Sequence, residues 1–272
     1  MRSASPANSP DHRNMLYDST ADVIRKALRG LDLAPSAAAA RAGLPERDVL
    51  ASSRGPVDKE ILRTLAPALG LDPDALAGLP GYLPPACPLT GVSRLELPFD
   101  DETVNAWLLD DGAGGKILFD AGDGRLDVRW ALEERGVREV VVFITHAHGD
   151  HTGGLAGLGE MAKSVAGPKD LKPGETRLQG KLSVRVIDLP GHCPGALGYV
   201  VEGLGLPLCV TGDALFAGSM GGCGPGRPYQ SALAALKAGV MSLPDETVLL
   251  PGHGPESTVG SERLGNAFLA GR

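Results

Sequence analysis

What this chain lacks narrows it first. Cysteine is scarce: Cys87, Cys193, Cys209 and Cys223 are the only four in 272 residues, and no two form a CxxC pair. That argues against a disulfide-stapled scaffold and fits a reducing compartment. No apolar run approaches the roughly 20 residues that a membrane-crossing helix needs. Residues 1–13 are rich in Ser, Pro and Asn and hold no apolar signal core. Basic charge is in deficit, with 26 Lys and Arg against 33 Asp and Glu, which argues against a protein devoted to nucleic acid. The expectation is a cytoplasmic protein with no membrane partner. At 43% hydrophobic and 22% charged residues, the composition is that of an ordinary globular chain of one or two domains.

What is present is concentrated in Thr145-His146-Ala147-His148-Gly149-Asp150-His151-Thr152. This stretch follows Val140-Val141-Val142-Phe143-Ile144, a β-branched and aromatic run that predicts a buried strand. It precedes Leu155-Ala156-Gly157-Leu158, which predicts the start of a helix. The cluster therefore falls at the carboxyl end of a strand, where α/β folds keep their chemistry. Neutral imidazole and carboxylate are ligands for zinc and similar ions. In extended backbone His146 and His148 point to one side, and Asp150 and His151 are offered to a neighbouring position. That arrangement suits two metals better than one.

Along the chain, residues 1–13 predict a disordered tail that holds His12. From Asp18 to Leu79 the text is helical and rich in Ala and Leu. Ser19 or Thr20 caps a helix to Leu28 with Gly30 past its end. Ser36 opens a second helix, Pro45 a third, and Asp72-Pro73 a fifth. Val57 to Leu69 predicts a fourth, with Pro67 awkward inside it. The segment carries eight basic and nine acidic residues, and no basic face to neutralise phosphates is evident. Nucleic acid is therefore not an expected partner; a small helical module that packs on the main domain or dimerises is. Gly81 to Thr90, with Pro84, Pro85 and Pro88, predicts a linker. Strands follow at Ser93–Leu97, Thr103–Leu109, Lys116–Phe119, Ser183–Leu189, Tyr199–Glu202, Pro207–Val210 and Thr247–Leu250. Helices are expected at Val128–Glu134 and Gln230–Met241. Strands outnumber helices, which suggests two sheets covered by helices.

Four further pieces close predicted strands. They are Phe119-Asp120-Ala121-Gly122, Pro190-Gly191-His192-Cys193, Thr211-Gly212-Asp213-Ala214 and Pro251-Gly252-His253-Gly254. Each places a ligand-type residue beside glycine, which permits a sharp turn. Alone, His192 or His253 would be an ordinary loop histidine. Five of the six histidines at such positions is a pattern.

In order and spacing, His146-Ala147-His148-Gly149-Asp150-His151, His192, Asp213 and His253 resemble the metallo-β-lactamase superfamily, over about residues 91–268. The resemblance implies an α+β fold: a four-layer αββα sandwich at 91–272, here with a small all-α domain at 14–80 and a linker at 81–90. It implies two divalent ions, zinc first, with iron or manganese as the other candidates. His146, His148 and His192 would hold one ion, and Asp150, His151 and His253 the other. Asp213 would bridge them, Asp120 would orient ligands, and Asp150 and Asp213 would take part in the chemistry. The five short helices resemble a phage-repressor helix-turn-helix domain, with Leu33 to Val49 most like its two central helices.

Within the superfamily the ending Leu243–Pro255, and Gly260-Ser261-Glu262-Arg263 with Asn266 and Phe268, resemble the glyoxalase II group and its short bacterial relatives. Gly222-Cys223-Gly224 with Arg227 and Tyr229 resembles the glyoxalase II loop that meets substrate. The chain ends soon after Phe268, without the C-terminal helices that hold glutathione in full-length glyoxalase II. Cys193 stands where Thr or Ser is common, and Pro225-Gly226 lengthens the loop. The function implied is hydrolysis of a thioester such as a hydroxyacylglutathione, or of an ester. Persulfide dioxygenases also resemble the sequence, with one iron on His146, His192 and Asp213. A third reading is a metal-domain ligand sensor with a DNA-binding module, and a homo-oligomer through the N-terminal domain is a further expectation.

Overall fold

The computed structural model describes residues 15–87, 89–125 and 128–271. The expected tail at 1–13, with His12, lies outside them.

The chain opens with five short helices: α1 Thr20–Gly30, α2 Pro35–Ala42, α3 Glu46–Ser52, α4 Lys59–Leu65 and α5 Pro73–Gly78. Ser19 caps α1 in a capping box with Asp22. Gly30 is the last residue of α1 rather than lying beyond it, and a side chain there would collide with Tyr229. A Cβ on Gly30 would lie 2.4 Å from that ring. The expected fourth helix is split. It ends at Leu65, and Ala66–Leu69 tightens into a 3-10 turn with Pro67 in its first positions, where the missing amide costs nothing.

Two sheets follow. The first runs β1 Val92–Phe99, β2 Glu102–Asp110, β3 Lys116–Phe119, β4 Val140–Phe143 and β5 Ala162–Ala166, in sequence order. The β3–β4 and β4–β5 pairs are parallel. Helices α6 Val128–Glu133, α7 Gly149–Thr152 and α8 Leu155–Leu158 lie between those strands in sequence. The second sheet contains β6 Thr176–Gln179, β7 Leu182–Asp188, β8 Leu197–Glu202, β9 Leu208–Gly212, β12 Val248–Pro251 and β13 Ser257–Thr258. Its spatial order is β13-β12-β9-β8-β7-β6. The hairpin β10 Leu215–Phe216 and β11 Ser219–Met220, the helix α9 Arg227–Ala235 and the helix α10 Val259–Gly265 complete the fold. After Ala235, α9 widens into a π turn over Leu236–Val240.

Period-two alternation sorts these strands into layers. In β2, Trp107 and Leu109 enter the core between the sheets, and Val104, Ala106 and Leu108 face out toward α6 and α8. In β12, Val248 and Leu250 face the first sheet, and Leu249 faces the helices behind the second. The result is a four-layer αββα sandwich. The third core, behind the second sheet, joins Leu249, Cys209 and Val200 to Leu236 and Phe268, and also to Val23, Ile24, Leu65 and Leu76 of the helical segment. That segment is thus docked on the outer helical layer. The Gly226 amide donates to the Gly30 carbonyl at 2.8 Å, and the Asp72 amide to the Ala267 carbonyl at 2.8 Å. The Tyr82 hydroxyl donates to buried Glu262 at 2.7 Å.

Candidate metal centre

Five strand ends meet at one edge of the sandwich. Asp120 follows β3, His146 follows β4, His192 follows β7, Asp213 follows β9 and His253 follows β12. Crosslinks hold the ends together: the Asn105 amide donates to the Gly252 carbonyl at 2.7 Å, and the Leu197 amide to the Thr145 carbonyl at 2.8 Å. His148, Asp150 and His151 arrive on the start of α7, which Gly149 opens with His148 as its cap.

The ligand atoms form two groups, each drawn within 4.8 Å: His146, His148 and His192, and then Asp150, His151, Asp213 and His253. In the first group, His148 Nδ1 lies 3.1 Å from His146 Nε2 and 3.1 Å from His192 Nε2. Asp213 faces both groups: one oxygen lies 3.5 Å from His192 Nε2 and 3.4 Å from His253 Nε2, the other 3.2 Å from His151 Nε2. The second group is buried, and the first opens outward through exposed His148.

The remaining ring nitrogens are held from behind. His192 Nδ1 meets the Gly222 carbonyl at 2.9 Å, and His253 Nδ1 the Thr103 carbonyl at 2.7 Å. His151 Nδ1 meets Asp120 at 2.7 Å. Such contacts fix the ring and aim the other nitrogen inward. His151 Nε2 and Asp213 Oδ1, both buried, have no hydrogen-bond partner. A buried polar atom left unpaired is costly, and a divalent cation would satisfy both. The imidazole and carboxylate donor set suits zinc, iron or manganese, so the residues present fit the implied metals.

Electrostatics agree. Burial, with His151 nearby, pushes His146 down to about 4, which leaves a neutral ring able to bind a cation. Burial alone would lower His253, but Asp150 and Asp213 outweigh it and raise the ring to about 9. Burial opposes the ionised form of Asp213, yet His151 and His253 hold it well below the usual carboxylate range.

Seven expected ligands and Asp120 therefore come together. Of the two expected substrate contacts, Tyr229 does not join them. Tyr229 is 4% exposed, its ring 6.4 Å from Phe268, and it packs under Gly30. Arg227 is exposed at the start of α9. The cleft of about 700 Å³ over the ligands is lined instead by Tyr17, Phe99, Asp123 and Arg125 with the metal-site residues, among the described residues. Sequence reasoning missed these four, and Thr145, whose amide and hydroxyl bind Asp120 at 2.8 Å each. Only Thr145, beside His146, carried a signal of proximity.

A family model of the metallo-β-lactamase superfamily matches residues 99–160. A B3 metallo-β-lactamase, BLEG-1, superimposes with a TM-score of 0.55 at 24% identity, over 66% of this chain and 100% of its own. The fold is that of the metallo-β-lactamase superfamily. Among curated relatives, a probable metallo-hydrolase of Bacillus subtilis, YqgX, is 28% identical over 208 residues, covering 64% of this chain and 96% of the relative. The hydroxyacylglutathione hydrolase of Halorhodospira halophila is 35% identical over 162 residues, covering 54% of this chain. This chain spans 60% of the length of that enzyme.

Proposed function

We propose that the protein is a metal-dependent hydrolase of small thioesters, with a hydroxyacylglutathione as the first substrate to try. The observation that carries this reading is the pair of ligand groups sharing Asp213, one oxygen of which lies within 3.5 Å of a histidine from each group. His146, His148 and His192 would hold one divalent ion; Asp150, His151 and His253 the other; Asp213 would serve both. When bound, such a pair supplies a water acidic enough to be deprotonated near neutral pH and polarises a carbonyl. The chain's own residues do the rest. Asp120 and Thr145 hold His151 and His146 in place. Exposed His148 and half-buried His192 mark the side from which substrate enters. Asp150, at the cleft wall, would steer an attacking water.

The test is metal content of protein purified without added metal, paired with hydrolysis of S-lactoylglutathione. Two ions per chain with turnover is the expected result. One iron per chain without hydrolysis overturns the reading.

A further inference from the structure

Tyr17 lies before α1, outside the part of the chain that forms the sandwich, yet it lines the cleft. Its ring lies nearly parallel to the His253 imidazole, with centroids 4.5 Å apart and 17° between planes. Phe216 meets it edge-on at 5.1 Å and 70°. Both are favoured aromatic arrangements. The Tyr17 backbone rests on Gly254, whose φ is +72°; a Cβ there would stand 3.2 Å from the Tyr17 amide nitrogen and Cβ. Burial, with the Glu102 carboxylate of β2 nearby, raises the phenol above its ordinary value. Next along the chain, buried Asp18 pairs with Lys26 of α1. The Lys26 ammonium also donates to the Met220 carbonyl at 2.9 Å and lies 5.0 Å from the Phe216 ring centroid.

Tyr17 is thus braced from the β10–β11 hairpin, from the His253 loop and from α1. The ring cannot swing aside without breaking several of these contacts. It stands over the inner ligand group, whereas the cleft is open over His148.

We infer that Tyr17 is a specificity-determining wall of the cleft, supplied by the N-terminal helical segment, and that it limits the size of the acyl group reaching the His253 side. This rests on the thioester-hydrolase reading. It also gives the helical segment a task its mixed charge does not otherwise suggest: docking behind the second sheet carries Tyr17 into the site.

The test compares S-lactoylglutathione with S-mandeloylglutathione, which share a thiol and differ in acyl bulk, on the metal-loaded full chain. For Tyr17→Ala the ratio of kcat/KM for the mandeloyl over the lactoyl substrate rises about tenfold or more, mainly through KM. Tyr17→Phe keeps the ring and keeps the wild-type ratio. Tyr17→Leu gives an intermediate ratio and supplies the same comparison if the alanine variant does not fold. A ratio unchanged in both smaller variants, with both substrates losing activity equally, overturns the proposal and leaves Tyr17 a packing residue. If the wild type hydrolyses neither thioester, the function fails by itself, and the wall is read by binding. Lactate and mandelate are then titrated into Co2+-loaded wild type and Tyr17→Ala, following the visible cobalt bands. Mandelate binding about tenfold tighter in the variant alone supports the wall; equal binding in both proteins overturns it.

Discussion

Asp120 holds His151 from behind: its Oδ2 lies 2.7 Å from His151 Nδ1. The same carboxylate accepts the Thr145 amide and hydroxyl, at 2.8 Å each. Its backbone sits at φ +62°, a left-handed conformation that Asp tolerates better than most residues. One side chain therefore locks the strand end that carries His146 to the ring that serves the other ligand group. Asp120→Ala is expected to weaken metal binding by roughly 10–100-fold while the fold persists. Calorimetric titration with zinc checks this, and unchanged affinity would remove Asp120 from the site.

Asp213 and His148 are expected to differ in kind. His148 belongs to one ligand group only, so His148→Ala should bind fewer ions but still retain metal. Asp213 faces both groups, so Asp213→Ala should lose both ions. Turnover should vanish in each variant. Metal analysis after gel filtration reads the distinction; equal metal content in the two variants would contradict it.

Glu262 is fully buried and accepts from the Tyr82 hydroxyl, the Gly218 amide and the Asn266 amide at 2.7, 2.9 and 2.8 Å. Burial raises its carboxyl above the ordinary 4.5, against the pull of those donors. A raised native value means that the folded chain keeps a proton the unfolded chain gives up. The associated stability is complete below about 4.5 and is lost as pH rises through the native value. Glu262→Gln cannot titrate. Wild type should therefore lose stability relative to Glu262→Gln as pH climbs from 4.5, with a flat difference below it. Urea denaturation across pH 4 to 7 measures this, and a difference constant with pH would show that burial does not govern the group. Glu262→Ala strands all three donors and should cost about 3 kcal/mol or more.

Gly30→Ala places a methyl 2.4 Å from the Tyr229 ring. Overpacking of this kind costs about 1–3 kcal/mol, and it should loosen the helical segment from α9. Equilibrium denaturation of the two proteins decides it; an unchanged midpoint would mean that Tyr229 yields freely.

The metal ligands were legible because coordination restricts residue type. Few side chains bind a divalent cation, so His146 to His151 within six positions, and His192, Asp213 and His253 beside glycines, carried information at short range. The inner strands were legible by their strand composition, as in Val104 to Leu109, which is buried at every position. Two of the edge strands were not. β5 and β6 are largely exposed, and without a buried face they show no alternation to find. The helix α10 was hidden by its brevity, although Thr258 caps it with Ser261.

By itself, then, the sequence determined the chemistry available, the layered sandwich and the residues able to hold metal. The tertiary structure alone decided what surrounds them. Tyr229, read as a substrate contact, is spent on packing against Gly30 and Phe268, and Tyr17, which carried no signal, stands over His253. The physical reason is common to both. A metal ligand is recognised by its own chemistry, but a packing or wall residue is defined by its neighbour, and a contact between distant segments leaves no mark on either one until the chain has folded.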